Sequence, residues 1–513
     1  MSRELILTCD AGTTGCKCSV FNRAGTAIRA VKRSYKTTFP KPNWSEQDPA
    51  ELLHAMLDGI RELLTQVNPA DIAVIGLSGH MDGCIAVDNG GACLYPNIIH
   101  SDSRAAAEAQ QIRTIMDDDE FYHLTGNRID HHYTLPKILW LRKNMPDVYK
   151  RARWFLNIKD YLYAHLTGVV GVTDYSDASL TLALDINKKA WATVLIRELG
   201  ADPRRMPVVH RGDEILGTIT KEIAGRTGLL VGTPVALGGG DGACASRGAG
   251  LYKPGAGYCN IGSSAWCSQL THEPILDPQR RTFNFMDMDG ESFYPCGTVQ
   301  TGASAFDWAF DNLLSATDEN GNTASRDGAS ISRVENMARQ IAPGAEGVFF
   351  LPTLMSERTP YWDANTRGCL MGFSLYHDQR HIARAVYEGV VFALNNVVEI
   401  YRECGHPLDS VTLIGGGARS GLWPDIFASV FGIPVQVHMT PGEGTSLGAA
   451  IAAGVGAGIF ENYEQAAQIV KCRSRHAVNP AWHDQYVRSF GIYKQIYGRM
   501  KPLYDAIAED VRL

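Results

Sequence analysis

The stretch Leu5-Ile6-Leu7-Thr8-Cys9-Asp10-Ala11-Gly12-Thr13-Thr14-Gly15 decides the fold of this chain, because an apolar strand runs directly into a turn of glycine and hydroxyl residues. A second alternating strand follows at residues 16–21. Glycine lets the backbone approach a phosphate group closely, and exposed N–H groups and hydroxyls supply hydrogen bonds to it. Taken alone, this hairpin is also the pattern of an ordinary surface turn.

The same pattern occurs again in the second half of the chain. Residues 257–260 form a short strand that runs into Ile261-Gly262-Ser263-Ser264, and a further strand follows at residues 265–269. Two such hairpins, one in each half, predict two related domains that hold one nucleotide between them.

The length and composition of the chain indicate a globular protein of two or more domains, since 513 residues exceed what one hydrophobic core supports. A formal net charge of −7 argues against nucleic acid or an anionic membrane as the main partner. We find no apolar run of about 18 residues and no signal-peptide pattern. The 12 cysteines have no regular spacing, so we expect a cytoplasmic protein.

Segments of strand and helix character alternate through both halves. Helical periodicity occurs at residues 50–67 and 381–404, and a run of small residues predicts a further helix at 448–457. Short apolar strands occur at residues 72–77, 410–414 and 435–438. This alternation predicts an α/β fold with largely parallel sheets.

Two aspartates follow predicted strands. Asp241 comes after Gly238-Gly239-Gly240 and before a run of small residues, which predicts a carboxylate at a helix N-terminus, where its ionised form is favoured. A helix cap and a catalytic base both fit that position. Asp10 lies beside the first turn, where its charge would repel phosphate unless a cation such as Mg²⁺ lay between them. The alternative for Asp10 is an aspartate that begins a turn.

Two longer stretches resemble the signatures of the FGGY carbohydrate kinases, within the actin-like ATPase superfamily. Residues 132–144 (HYTLPKILWLRKN) follow the first signature apart from His132 at its opening position. Residues 368–388 (GCLMGFSLYHDQRHIARAVYE) follow the second, with Phe373 in place of a smaller aliphatic residue. The resemblance covers nearly the whole chain.

Shorter motifs carry the resemblance at the nucleotide. The turn at residues 10–14 resembles the first phosphate motif of the family, residues 261–264 the second, and Gly415-Gly416-Gly417-Ala418-Arg419 the adenosine motif. Within the family, the chain is most similar to xylulokinases in three phrases, Trp44-Ser45-Glu46-Gln47-Asp48-Pro49, Lys159-Asp160-Tyr161-Leu162 and Ser356-Glu357-Arg358-Thr359-Pro360.

The resemblance implies two ribonuclease-H-like α/β domains around a cleft, with sugar bound mainly by residues 1–251 and ATP mainly by residues 252–513. It implies that Asp241 accepts the proton of the sugar hydroxyl and that Asp10 holds Mg²⁺. The residues that it implies for the nucleotide are Gly12, Thr13, Thr14, Gly262, Ser263, Ser264, Gly415, Gly416 and Gly417.

For the sugar, the resemblance implies contacts from His80, Met81, Asp82 and Asp102, together with Asp241. Xylulokinases usually carry Gly-Gln-Met-His-Gly where this chain has Gly79-His80-Met81-Asp82-Gly83, and a tryptophan where it has His100. These departures predict a more polar and more acidic pocket, which favours a neutral ketose or polyol over a sugar acid.

We therefore expect ATP-dependent phosphorylation of a sugar hydroxyl, with a ketopentose such as xylulose as the leading acceptor. The alternatives are another neutral pentulose, hexulose or polyol, and an actin-like ATPase without kinase activity, which the Gly238-Gly239-Gly240-Asp241 motif argues against. The expected partners are the sugar and ATP, with a homodimer as a further possibility. His131 and His132 are adjacent, but we see no acidic partner at ligand spacing, so we predict a structural role for both.

Overall fold

The computed structural model describes residues 4–315 and 325–511, and within them the chain forms two large sheets flanked by helices. The elements of the first half are β1 (Leu5–Gly12), β2 (Gly15–Phe21), β3 (Ala27–Ser34), β4 (Glu46–Gln47), α1 (Pro49–Leu63), β5 (Ile72–Gly79), β6 (Ile85–Val87), β7 (Asn97–Ile98), α2 (Ala106–Ile112), α3 (Asp118–Thr125), α4 (Thr134–Asn144), α5 (Pro146–Arg151), β8 (Trp154–Leu156), α6 (Ile158–Thr167), β9 (Val172–Asp174), α7 (Tyr175–Ser179), β10 (Leu184–Asp185), β11 (Ala190–Trp191), α8 (Thr193–Glu198), β12 (Val208–His210), β13 (Gly217–Thr218), α9 (Lys221–Thr227), β14 (Pro234–Val235), β15 (Gly239–Gly240) and α10 (Asp241–Gly248).

The second half repeats the alternation of strands and helices. Its elements are β16 (Ala256–Ile261), β17 (Ala265–Gln269), β18 (Phe283–Met286), β19 (Phe293–Val299), α11 (Ala303–Ala309), α12 (Gly328–Arg339), β20 (Phe349–Leu351), β21 (Cys369–Met371), α13 (Gln379–Glu403), β22 (Ser410–Ile414), α14 (Trp423–Phe431), β23 (Val435–His438), α15 (Gly444–Gly456), α16 (Tyr463–Ala467), β24 (Cys472–His476) and α17 (Pro480–Asp510).

The two large sheets share one strand order. The first runs β13-β14-β5-β1-β2-β3, with β15 also paired to β5, and the second runs β18-β19-β17-β16-β22-β23-β24. In each, an antiparallel meander (β1-β2-β3 or β16-β17-β19) is extended by two parallel strands on the other side of its first strand. The predicted α/β fold of two related domains is therefore confirmed, but the sheets are mixed rather than largely parallel, because each contains an antiparallel meander.

Both faces of the first sheet are buried, which explains the nearly continuous apolar runs of β1 and β5. On one face, Leu7 and Cys9 pack with Leu52 and Met56 of α1 in one apolar cluster. On the other face, Ile6 and Val74 belong to a cluster that includes the alanines of α15. A helix from the second half of the chain therefore covers the first sheet.

Helices α10 and α15 cross with their backbones in contact. A Cβ atom on Gly248 would lie 1.8 Å from the carbonyl oxygen of Gly444, and one on Gly448 would lie 1.8 Å from that of Cys244. Gly76 of β5 allows α15 an equally close approach, since a Cβ there would lie 2.4 Å from the carbonyl oxygen of Ala449. Only glycine permits these contacts.

Helix α10 in turn contacts the second half. The guanidinium of Arg247 donates to Asp289 at 2.7 Å and also pairs with Asp287, and both aspartates lie between β18 and β19. Helix α15 of the second half therefore packs on the first sheet, and helix α10 of the first half forms ion pairs with the segment between β18 and β19.

The predicted elements agree closely with the observed ones. The strands predicted at residues 265–269, 410–414 and 435–438 coincide with β17, β22 and β23, and the helix predicted at residues 50–67 is α1, which ends earlier at Leu63. None of the helices formed by the described residues is long and apolar enough to cross a membrane.

Candidate active site

The first hairpin forms the floor of a cavity of about 370 Å³. Its strands pair Gly12 with Gly15, which leaves Thr13 and Thr14 at the tip, and they pair Asp10 with Lys17. Because residues directly opposite on antiparallel strands project to the same side, Asp10 and Lys17 face this cavity together. The predicted hairpin is therefore present, with a lysine beside its aspartate, and its binding of phosphate stays a prediction.

The carboxylate of Asp10 is buried with part of its hydrogen-bonding capacity unused. Its Oδ1 atom is buried and has no hydrogen-bond partner among the described residues. Burial raises the pKa of Asp10 to about 6, although Ser78 and the positive charge of Lys17 act in the opposite direction. A buried carboxylate oxygen without a donor is a suitable ligand for a hard cation.

The second hairpin pairs Ile261 with Ala265 and has the three-residue tip Gly262-Ser263-Ser264. The carbonyl oxygen of Ser263 accepts the N–H of Gly302 at 2.8 Å, so the tip is anchored to the start of α11. Ser264 borders a cavity of about 360 Å³ that Thr13 of the first hairpin also lines. The predicted hairpin is confirmed, and its tip lies across the cleft from the first one.

The adenosine-type motif borders a smaller cavity of about 180 Å³. Gly415 has a left-handed φ of 86° and lines this cavity with Asn260 and Asp241. Gly416 faces open space, whereas a Cβ on Gly417 would lie 2.4 Å from Ile261. Of the three glycines, Gly415 is therefore the one that borders the cavity.

Asp241 is the first residue of α10 and lies between two cavities. It lines both the 180 Å³ cavity and the cavity of about 360 Å³, which residues of both halves of the chain border. Burial, together with the charges of Asp10 and Asp82, raises the pKa of Asp241 to about 7. A carboxylate that is half ionised near neutral pH can accept a proton there.

The position of Asp241 is fixed from the preceding residue. The N–H of Gly240 donates to Oγ of Ser176 at 2.9 Å, and that hydroxyl donates to the carboxylate of Asp174. Gly240 also lies against Met81, since a Cβ on it would lie 2.5 Å from Cγ of Met81.

The 360 Å³ cavity brings together most of the residues predicted to bind sugar. His80, Met81, Asp82 and Asp241 all line it, and so does His100. The ring centroids of His80 and His100 are 5.8 Å apart. Burial lowers the pKa of His80 to about 4 and that of His100 to about 3, so both imidazoles are neutral at physiological pH.

Asp82 projects into this cavity from a left-handed backbone conformation, with φ of 65°. Burial raises its pKa to about 7, while Lys137 and Arg358 act against that increase. Its Oδ1 atom is buried and has no hydrogen-bond partner within the described parts of the chain. The buried ammonium of Lys137 donates to the carbonyl oxygens of Asp82 and His132, which ties these two cavity residues together.

Asp102 requires a correction, because it does not border the cavity. Its carboxylate is fully buried and accepts hydrogen bonds from the N–H of Ser45 at 2.6 Å and from the guanidinium of Arg104 at 2.7 Å. Arg104 also binds Glu46 at 2.7 Å. Asp102 therefore orders the segment that precedes α1, and we withdraw it as a direct sugar contact.

The premise used for the histidine pair was also wrong. Asp130 lies directly before His131, and its carboxylate hydrogen-bonds Nδ1 of His132. Ligand atoms of these three residues lie within 4.8 Å of one another. In addition to its hydrogen bond with Asp130, His132 lines the 360 Å³ cavity.

Several cavity residues were not identified from the sequence. Arg358, Trp266, Phe283 and Phe285 line the 360 Å³ cavity, and Lys17 lines the first one. Two signals were available, because Arg358 lies in a phrase quoted for the family resemblance and Lys17 follows the first turn at a strand position. Trp266 follows the second turn at the matching strand position, whereas Phe283 and Phe285 lie on a strand that carries no motif.

The two-domain α/β fold, with the carboxylate of Asp241 between two cavities, is the arrangement expected of a sugar kinase. It belongs to the FGGY family of carbohydrate kinases, whose N-terminal domain model matches residues 5–248 and whose C-terminal domain model matches residues 257–457. The recognised resemblance and the actin-like ATPase type of fold are thereby confirmed.

Similar proteins include enzymes named for two different sugars. The chain is 30% identical to the xylulose kinase of Bacillus subtilis over 98% of this chain and 99% of that one. It is 27% identical to the gluconokinase of the same organism over 98% of both chains. The crystal structure of a ligand-bound xylulose kinase from Lactobacillus acidophilus has a TM-score of 0.90 at 24% identity, covering 98% of this chain and 99% of that chain.

Proposed function

We propose that this enzyme transfers the terminal phosphoryl group of ATP to a hydroxyl of a neutral ketose, with a ketopentose such as xylulose as the leading acceptor. The observation that carries the proposal is the position of Asp241, which borders the cavities on both sides of the cleft. A base in that position can take the hydroxyl proton while the oxygen attacks phosphorus. We keep residues 1–251 and 252–513 as the proposed sugar-binding and nucleotide-binding divisions.

The residues at the first hairpin fit a divalent cation. Asp10 offers a buried oxygen without a donor, and the cavity beside it also presents the hydroxyl-bearing Thr14. When bound there, Mg²⁺ would neutralise charge on the phosphates. Thr13 and Thr14 would donate to phosphate oxygens from the first half, and Gly262, Ser263 and Ser264 from the second.

The electrostatics of the sugar-side cavity support a neutral acceptor. Asp82 and Asp241 each contribute a carboxylate, and Asp130 lies beside them under His132. Arg358 supplies positive charge, but it lies close enough to Asp82 to act on that carboxylate. An anionic substrate would meet the partly ionised carboxylates of Asp82 and Asp241, whereas a polyol can donate hydrogen bonds to Asp82 and to the free Nδ1 of neutral His80.

The relative named gluconokinase makes a sugar acid the alternative to test. Purified enzyme should be assayed for ADP release with pentuloses, hexuloses, polyols and gluconate, with the Asp241→Asn variant as the control for turnover that does not need the base. We expect the highest kcat/KM with a ketopentose. A clear preference for gluconate would overturn the neutral-sugar proposal, and ADP release that no sugar stimulates would overturn the kinase proposal.

A further inference from the structure

We propose that Glu443 is a second carboxylate of the Mg²⁺ site, so that the cation is held between Asp10 of the first half and Glu443 of the second. The inference rests on the proposed use of Mg²⁺ and ATP, but it does not depend on which sugar is phosphorylated.

Glu443 reaches the first hairpin from the other half of the chain. It lies immediately before α15, the helix that covers the first sheet. Its Oε1 atom pairs with Nζ of Lys17, a residue 426 positions away in sequence. The same ammonium donates to the carbonyl oxygen of Gly442 at 2.9 Å. The ion pair places the Glu443 carboxylate at the cavity that Asp10 and Lys17 share.

Both carboxylates have an oxygen that is left over. Oδ1 of Asp10 and Oε2 of Glu443 are buried, and neither has a hydrogen-bond partner among the residues that the structure describes. The two side chains are close enough for the charge of Glu443 to act on Asp10. Buried charged oxygens without a donor are costly, so two of them beside one cavity indicate a missing positive charge.

The ammonium of Lys17 only partly supplies that charge. It pairs with Oε1 of Glu443 and leaves Oε2 of Glu443 and Oδ1 of Asp10 without a donor among the described residues. Lys32 also lines the cavity, but its ammonium lies 3.5 Å from the hydroxyl of Thr14 rather than at either carboxylate. Mg²⁺ in phosphoryl-transfer enzymes is commonly bound by one or two carboxylates together with retained waters and substrate phosphates. The leftover oxygens of Asp10 and Glu443 match that requirement. With a cation present, Lys17 is no longer needed to neutralise Glu443, and its ammonium can pair with a phosphate.

A different role for Glu443 would leave the metal unaffected. If Glu443 served only to hold Lys17, its replacement would alter nucleotide binding through the lysine and leave metal affinity unchanged. The Lys17→Met variant separates the two roles, because it removes the ion pair and keeps both carboxylates.

The test measures Mn²⁺ binding rather than activity. Mn²⁺ is titrated into the full-length protein with no nucleotide and no sugar present, so that Lys17 has no phosphate to bind, and free Mn²⁺ is followed by electron paramagnetic resonance. We expect Glu443→Gln and Asp10→Asn each to weaken Mn²⁺ binding by about 10-fold or more, the range seen when groups supporting a metal site are removed. Lys17→Met should bind Mn²⁺ at least as tightly as the wild type. Glu464→Gln, an exposed residue of α16 in the same half, is the matched control and should show no change.

Wild-type Mn²⁺ affinity in Glu443→Gln would overturn the inference, and so would equal losses in Glu443→Gln and Lys17→Met. If Glu443→Gln does not fold by circular dichroism, Glu443→Asp takes its place, because it keeps the charge but withdraws the carboxylate; unchanged affinity in that variant overturns the inference too. If Glu443→Gln loses Mn²⁺ binding but the wild-type enzyme phosphorylates no sugar, the metal site is supported and the proposed function is wrong.

Discussion

The two hairpins have the same backbone plan but opposite chemistry. Asp10 and Asn260 each lie two residues before a glycine, Gly12 and Gly262, although the first turn has two residues at its tip and the second has three. Across the hairpin, Asp10 faces Lys17, whereas Asn260 faces Trp266. The first hairpin therefore presents a pair of opposite charges, and the second presents an amide and an indole.

The repeated fold thus places residues at matched positions in the two halves, but the chemical nature of those residues differs between the halves. The charged groups that can bind metal and phosphate, Asp10 and Lys17, lie on the first hairpin. Trp266, whose Nε1 donates to the hydroxyl of Tyr258 at 2.7 Å, forms a neutral wall on the second. A repeat of the fold thus need not be a repeat of the function.

The largest expected effect concerns Asp241, which belongs to neither hairpin and lies between them. Asp241→Asn should lower kcat by about 10² or more, because an amide cannot accept the hydroxyl proton. ATP binding, measured by calorimetry, should be largely kept. A variant with more than half of the wild-type kcat would show that Asp241 only caps α10.

The pH dependence provides a second check on the same residue. Since the pKa of Asp241 is about 7, the ionised base is lost as the pH falls, and kcat/KM for the sugar should decrease about tenfold per unit well below pH 7. A flat profile between pH 5 and pH 8 would contradict this assignment.

The next effect tests the two hairpins directly, through one substitution at each matched position. Asp10→Asn should raise the Mg²⁺ concentration needed for half-maximal turnover by about 10- to 100-fold, because a metal ligand is lost. Asn260→Ala should leave that requirement unchanged and raise the KM for ATP by only about fivefold. Equal effects of both variants on the Mg²⁺ requirement would break the proposed division of labour.

A similar comparison applies to the sugar, which both halves border. Asp82→Ala should raise the KM for the sugar by about 5- to 150-fold, equivalent to a lost charged hydrogen bond of about 1–3 kcal/mol, and change the KM for ATP little. Ser264→Ala, from the second hairpin, should have a smaller effect on the sugar. Steady-state kinetics with each substrate varied in turn would measure both, and an equal rise in the two KM values for Asp82→Ala would contradict the pocket assignment.

The smallest expected effect is on stability. The folded-state pKa of Asp241, about 7, lies above its ordinary value of 3.8, so the folded protein loses stability as the pH rises from below 4 through 7. Asp241→Asn removes this loss. Its melting temperature should exceed that of the wild type by about 1–3 °C more at pH 8 than at pH 5. Glu464→Gln, on the surface, should show the same difference at both pH values.

Local patterns were sufficient to predict the hairpins and most long elements. Strands at residues 265–269 and 410–414 were predicted correctly because alternating apolar residues ended at turn glycines. The helix predicted at residues 448–457 begins earlier, at Gly444. Its first turn contains glycine and hydroxyl residues, which have low helix propensity, so the sequence did not indicate a helix there.

The site was only partly predictable, because its remaining contacts join distant segments. Lys17 and Glu443 meet across 426 positions, and no local pattern indicates such a pair. Asp102 resembled a sugar ligand by motif, yet Arg104, two residues later, takes up its carboxylate. The motif predicted the neighbourhood of the site correctly but not the direction of each side chain.

The contacts of helices α10 and α15 with the opposite half limit how the chain can be divided. A fragment ending at residue 251 would lack α15, so Ile6, Val74 and the surface at Gly76 would be exposed to water. The complementary fragment would lack α10 and leave Asp287 and Asp289 without Arg247. The two pieces should therefore be poorly soluble when expressed separately, and should regain activity only when they are produced together and can reassemble.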